Sequence, residues 1–313
     1  MKTTSMDFLS ADSESTIHAL LWEPDDCPAR PRALVQIVHG MEEHIGRYEE
    51  FAHYLVDQGF AVCAHDQIGH GLSVKSPEDL GHIPYPMGYD WMLADIQTLR
   101  DAAAGKFDPE TPYVLFGHSM GSFISRVYMT TRKDIAATIL CGTGQTSQLT
   151  SEFGNLVCRI LCDTKGERHH STFVDGLAAG GYNKTIPNPR TDFDWLSVNP
   201  DNVDAYIADP LCGHMFTVGG YFALTKLVDK AAAPGLASRC RKKMPLLFIS
   251  GEGDPLAGRK GIDIKNCLAQ YKSAHMQDME SKLYPNMRHE ILQETDRAQV
   301  FADVNDWLAR KGI

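Results

Sequence analysis

Tyr113-Val114-Leu115-Phe116-Gly117-His118-Ser119-Met120-Gly121-Ser122-Phe123-Ile124 carries a complete G-x-S-x-G between an apolar run and a segment whose helical periodicity continues to Met129. Strand before and helix after put Ser119 at the corner of a strand-turn-helix. Glycines two residues to either side let the turn pass the neighbouring chain, so the serine hydroxyl stands clear at the end of a sheet. The five-residue pattern alone is weak; its context makes it a nucleophile elbow.

Outward from the elbow, strand-like apolar runs recur at 34–38, 61–64, 136–141, 246–250 and 280–284. Segments 47–58, 88–104, 120–132, 263–274 and 295–309 carry apolar residues at helical spacing. Short buried strands alternating with helices predict an α/β architecture, a mostly parallel sheet covered on both faces. Two N-terminal strands, about 5–10 and 15–22, are expected to pair as an antiparallel edge. The alternation breaks between about 145 and 240, a stretch with an aromatic and Gly-rich piece from Phe173 to Tyr182, Ile186-Pro187-Asn188-Pro189, and an apolar segment from Met215 to Val228. That is too long for one connection and predicts an inserted helical subdomain above the site. The expected organisation is core at 1–144, helical cap at 145–240 and core again at 241–313.

The 313 residues, 43% hydrophobic and 22% charged, suffice for one large core with an insertion. A formal net charge of −10 argues against nucleic acid, because neutralising phosphates needs clustered Lys and Arg. The run Arg239-Cys240-Arg241-Lys242-Lys243 reads as a solvated turn before a strand. No charged segment followed by an apolar one opens the chain, and no apolar stretch approaches the length of a membrane span, so a cytoplasmic location is expected. Eight cysteines are scattered without C-x-x-C pairs, and Cys63 and Cys141 look like small buried hydrophobes in a reducing compartment. Cys158 and Cys162 share a helix face, but no matching His or Cys set lies near them in sequence, so no metal is expected.

A serine hydroxyl is a weak nucleophile at neutral pH, so an elbow implies an imidazole base and a carboxylate that fixes its tautomer. Asp254 lies in a Gly-rich turn after the run at 246–250, whereas Glu252 comes two residues too early. Among thirteen histidines, His289 alone lies C-terminal to Asp254 on a loop after a strand; His275 falls within a helix pattern. His289-Glu290 begins an H-E-x-x-H, but Gln293 ends the zinc-protease reading. Two backbone N–H groups are expected to hold the developing oxyanion. One is that of Met120, at the start of a helix, and the other that of Met41, in the loop that Gly40 lets bend toward the elbow. His39 precedes the serine in the wrong loop and reads as structural. Asp66 is expected to bind loop backbone, and Glu42, Glu43, His44 and Arg47 to form an ion-pair network that holds the oxyanion loop.

His39-Gly40 with Glu43-His44 and Gly46-Arg47-Tyr48, His65-Asp66 with Gly69-His70-Gly71 and Ser73, and Gly117-His118-Ser119-Met120-Gly121 closely resemble the monoacylglycerol lipase and lysophospholipase branch of the α/β-hydrolases, a serine aminopeptidase S33-type group. The resemblance covers the core on both sides of the insertion. It implies a serine esterase or lipase acting on monoacyl lipids through Ser119, Asp254 and His289, with an oxyanion hole at Met41 and Met120 and no metal or organic cofactor. Two departures bear on substrate. Gln67-Ile68 replaces the family's usual basic residue before the G-H-G turn, and Glu42 occupies a position that is often small.

Phe153, Leu156, Val157 and Ile160 fall on helical spacing in the insertion, as do Phe216, Tyr221 and Leu224 in part; Phe153, Leu156 and Phe216 are the expected acyl-chain contacts. Expected partners are a small-molecule ester or monoacyl lipid, with a transient membrane-surface contact through the cap compatible with an amphipathic insertion. The same triad would serve a carboxylesterase of small esters or an amidase or aminopeptidase. A hydrolase fold can also serve as a ligand receptor, which an intact catalytic set argues against. Oligomeric state is not legible.

Overall fold

Backbone geometry turns the apolar runs into strands and the periodic segments into helices, and the computed structural model describes residues 1–178 and 180–313. The first half contains β1 (Lys2–Ser5), β2 (Phe8–Leu9), β3 (Thr16–Ile17), β4 (Ala19–Glu23), β5 (Leu34–Val38), α1 (Glu49–Asp57), β6 (Ala61–His65), α2 (Gly88–Ala104), β7 (Tyr113–His118), α3 (Met120–Tyr128) and β8 (Ile135–Cys141). Four helices follow before the chain returns to the sheet: α4 (Gln148–Lys165), α5 (Thr172–Ala178), α6 (Pro200–Ala208) and α7 (Val218–Ala232). The last elements are β9 (Leu246–Gly251), α8 (Ile262–Ser273), β10 (Met279–Tyr284) and α9 (Arg297–Arg310).

Among the described residues the main sheet has eight strands in the order β1-β4-β6-β5-β7-β8-β9-β10. From β6 to β10 every neighbouring pair is parallel, while β4 pairs antiparallel with both β1 and β6. The expected antiparallel N-terminal edge forms in two pieces: Lys2–Ser5 pairs with Leu20–Glu23 at the edge of the main sheet, and Phe8-Leu9 pairs with Thr16-Ile17 as a separate small sheet. The Asp7 carboxylate accepts the Ala19 N–H at 3.0 Å, which breaks what would otherwise be one continuous ladder.

Side chains of each strand alternate between two apolar layers. Val35 and Ile37 of β5 face Phe51 and Leu55 of α1 and Val304 and Trp307 of α9. Leu34 and Val38 face the layer of Ile96 and Leu99 from α2 and Ile124 from α3. Capping fixes where the inserted helices begin: Ser147 Oγ accepts the Thr150 N–H at 3.2 Å, and Thr217 Oγ1 accepts that of Gly220 at 3.2 Å. Helix α6 starts with Pro200 behind Asn199, whose side chain accepts the Asp201 N–H. No helix among the described residues is long and apolar enough to cross a membrane.

The strand order reverses at β5, since the chain steps to β6 on one side and returns to β7 on the other. Loops leaving β5 and β7 therefore diverge at the carboxyl end of the sheet and leave a crevice, where α/β folds bind ligands.

Candidate active site

That crevice holds the elbow. Ser119 adopts φ 53°, ψ −121°, a conformation costly for a residue with a Cβ, and its N–H donates to the Cys141 carbonyl at 3.0 Å. The flanking glycines are required by contact: a Cβ on Gly121 would lie 2.0 Å from the Val38 carbonyl oxygen, and one on Gly117 would lie 2.3 Å from Ser125 Oγ.

Asp254 and His289 come together from the loops after β9 and β10. His289 Nδ1 lies 3.0 and 3.1 Å from the two Asp254 carboxylate oxygens, which also accept Ser250 Oγ–H at 2.7 Å and the Leu256 N–H at 2.8 Å. Burial works to raise the Asp254 pKa, but the charge and hydrogen bond of His289, followed by the Ser250 and Leu256 bonds, hold it below its ordinary value. An ionised Asp254 accepts a hydrogen bond from Nδ1–H, which keeps the proton on Nδ1 and leaves the lone pair on Nε2. That atom is buried without a hydrogen-bond partner among the described residues, and Ser119 Oγ likewise makes no hydrogen bond among them. Ser119, His289, Met41 and Met120 line one cavity of about 380 Å³. Met120 is the first residue of α3, so its N–H has no intrahelical acceptor.

The loop after β5, which carries Gly40 and Met41, is held from behind by Glu43. One of its oxygens accepts the Gly40 N–H at 2.5 Å and Tyr48 O–H at 2.7 Å, and lies 3.0 Å from His118 Nδ1. The Arg47 guanidinium is 3.3 Å from the other oxygen and forms a two-pronged pair with Glu290, next to His289. Burial opposes ionisation of Glu43, yet the His118 hydrogen bond and the charges of His118 and Arg47 hold its pKa well below the carboxylate range. For His118, burial alone would lower the pKa; the bond to Glu43 outweighs it and raises it. Arg47 also donates to Asn202 Oδ1 at 3.1 Å, and Asn202 Nδ2 donates to Glu290 at 2.8 Å, tying α6 to both loops. Trp195 completes the surroundings, its ring centroid 5.0 Å from that of His289.

Several expected roles match positions on the structure, and others differ. Asp66 accepts the Ile45 and Leu72 N–H groups at 2.8 Å each, and His39 Nε2 accepts the Gln67 N–H at 2.9 Å, both binding loop backbone. Of the expected network only Glu43 and Arg47 pair with each other: Glu42, at φ 57°, lines the cavity, and His44 pairs with Asp209 instead. Phe153 lines the cavity, as do Val157 and Leu224, whereas Leu156 and Ile160 lie on the solvent side of α4. Phe216 is fully buried against His70 and Tyr221 and contributes to the core instead. His118, Tyr48, Glu290, Asn202 and Trp195 went unassigned by the sequence; of these Tyr48, His118 and Glu290 lay inside quoted motifs, and Asn202 and Trp195 lay in none.

His44, Asp209 and Cys212 gather three potential metal-ligand atoms. The geometry is that of a structural bridge. His44 Nδ1 accepts the Gly46 N–H at 3.2 Å, so Nε2 carries the proton and donates to Asp209 at 2.9 Å, leaving no lone pair for an ion. Burial also pushes the Cys212 thiol far above its ordinary value, against the thiolate a metal would need.

A parallel sheet with an antiparallel edge, a serine at a strained strand-to-helix corner, and an acid and a histidine on later loops define the α/β-hydrolase class. The chain belongs to the serine aminopeptidase S33 family, whose model matches residues 29–296. It is 29% identical to the monoglyceride lipase of Mus musculus over 93% of this chain and 86% of that one. It is 28% identical to the monoacylglycerol lipase of Mycolicibacterium smegmatis over 92% and 91% of the two chains. The crystal structure of a thermostable carboxyl esterase from Bacillus coagulans in complex with glycerol superposes with a TM-score of 0.91 at 26% identity, covering 100% of both chains. The protein is a carboxylic ester hydrolase of lipase or esterase type.

Proposed function

We propose that the protein hydrolyses carboxylic esters of monoacyl lipids through Ser119, His289 and Asp254. The observation that carries this reading is the Asp254–His289 pair, with a free Nε2, opening onto the same largely apolar cavity as the strained Ser119. In this reading His289 Nε2 takes the Ser119 proton as Oγ attacks the ester carbonyl, and Asp254 stabilises the imidazolium. The N–H groups of Met41 and Met120 hold the oxyanion. Collapse of the tetrahedral adduct breaks the bond to the alcohol, which leaves with the proton from His289. Water then attacks the acyl-enzyme by the same route and releases the acid.

Residues 145–240 act as the cap, and Phe153, Val157, Leu224 and Val228 give it an apolar wall suited to an acyl chain. The solvent side of the cap carries exposed Leu149, Leu156 and Ile160 on α4 and Phe173 on α5, with Phe153 and Leu177 exposed at the cavity mouth. That face supports transient contact with a lipid surface. The names of the monoglyceride lipase relatives support the same substrate class.

A fluorophosphonate probe together with a chain-length series of p-nitrophenyl esters and monoacylglycerols tests the reading. Wild-type protein is expected to be labelled and to turn over the esters, and Ser119→Ala to lose both while unfolding at the same temperature. Turnover retained in Ser119→Ala would sink the assignment.

A further inference from the structure

Beside the oxyanion loop lies a carboxyl group with no task in the chemistry above. Glu42 follows Met41 directly and holds φ 57°, in the left-handed region where a side chain is disfavoured. Its backbone is pinned there: the Glu42 carbonyl accepts the Gly213 N–H at 3.0 Å and Tyr206 O–H at 3.0 Å. The carboxyl makes no hydrogen bond among the described residues, although Glu42 lines the cavity that contains Ser119 and His289. The residue is half-buried where it meets the cavity, and its backbone is held in an unfavourable conformation that no partner of the carboxyl explains. Burial first, and then the neighbouring charge of Asp175 on α5, push its pKa up to about 8, so near neutral pH it has both a proton to donate and an oxygen to accept.

The charges around it narrow the ligand. Among the described residues lining the cavity there is no Lys or Arg, while Glu42, Glu43, Asp263 and Glu290 are present. Glu43 and Glu290 are consumed by His118, Arg47 and Asn202, and Asp175 accepts the Tyr221 hydroxyl at 2.5 Å. An anionic group entering this cavity would lose its water and find no free cation. A neutral alcohol bearing hydroxyls would meet a carboxyl able to satisfy them in both senses. An acyl chain offers Glu42 nothing, so the hydroxyl-bearing half of the ester is the half it can read.

We propose that Glu42 is a specificity-determining residue that hydrogen-bonds the free hydroxyls of a glycerol-type leaving group, in a cavity that turns away leaving groups carrying a phosphate. This rests on the ester-hydrolase reading of Ser119 and extends it from the acyl side to the alcohol side.

The test compares kcat/KM for a decanoyl monoglyceride and for the decanoyl ester of glycerol phosphate, which differ only in the phosphate, with p-nitrophenyl butyrate as a reference. Wild type, Glu42→Gly and Glu42→Gln are measured; glycine suits this φ, so the first variant keeps the loop intact. Wild type is expected to favour the monoglyceride. Glu42→Gly should cut that preference by about 3- to 10-fold, the weight of one or two lost neutral hydrogen bonds, mostly through KM. Glu42→Gln, which still donates and accepts, should retain most of it. A wild type indifferent to the phosphate, or a preference unchanged within twofold in Glu42→Gly, overturns the proposal. If wild type cleaves p-nitrophenyl butyrate but neither glyceride, this proposal falls and the esterase reading stands; if it cleaves no ester, the esterase reading falls and takes this one with it.

Discussion

Replacing Glu43 by glutamine tests the hidden support of the site. In the native fold one carboxylate oxygen accepts three donors, from Gly40, Tyr48 and His118, and the other faces Arg47. Glutamine keeps one oxygen for Gly40 but sets an NH2 group against Arg47 and removes the charge that raises the His118 pKa. Removing one partner of a buried ion pair costs about 3–5 kcal/mol. Arg47 keeps Glu290 and His118 can shed its proton, so Glu43→Gln should lie near the bottom of that range, about 3 kcal/mol. Guanidinium denaturation followed by tryptophan fluorescence reads it.

The pH dependence gives a second signature. The folded pKa of Glu43 lies below its ordinary 4.5, so its contribution is fully present above that value and is lost as pH falls toward the folded one. The folded pKa of His118 lies above its ordinary 6.5, so its contribution is present below 6.5 and is lost as pH rises through the folded value. The stability gap between wild type and Glu43→Gln should therefore be widest between about pH 4.5 and 6.5 and narrow on both sides. A gap under about 1 kcal/mol, or one that does not vary with pH, would refute the reasoning.

Two more substitutions probe the elbow and the acid. Asp254→Asn leaves the His289 ring in place but favours the wrong tautomer, and kcat on p-nitrophenyl butyrate should fall by about 10⁴-fold with little change in melting temperature; a loss under tenfold would remove Asp254 from the mechanism. Gly121→Ala drives a methyl into the Val38 carbonyl, 2.0 Å away, where backbone cannot yield cheaply. It should lower the melting temperature by several degrees and abolish ester turnover, and an alanine variant as stable and active as wild type would contradict the geometry drawn for the turn.

Legibility in the sequence followed the range of the interaction. Strands such as Leu34–Val38 and helices such as Gly88–Ala104 announce themselves through local apolar pattern, and the structure places them at those bounds. The helix after the elbow is read as running to 132 but stops at Tyr128, where the Thr130 and Thr131 hydroxyls bond back to the Val127 and Tyr128 carbonyls. Around the site, the serine, the acid and the histidine are legible because each must follow a strand. The brace between Arg47 and Glu290 is not, because its partners are 243 residues apart and no local pattern contains both. Periodicity also misplaced Phe216 and Leu156: it says which residues share a helix face, and packing decides whether that face meets a cavity, a core or solvent.

Arg47 has a consequence in time as well as in space. Its partner Glu290 lies 243 residues further along the chain, beside His289. During synthesis, a nascent chain that has already formed the elbow and the loop after β5 still lacks the proposed base and acid, and the guanidinium waits without its principal counter-ion. On the proposed triad, a chain that has not yet presented His289 to the elbow carries Ser119 without its base and turns over no ester.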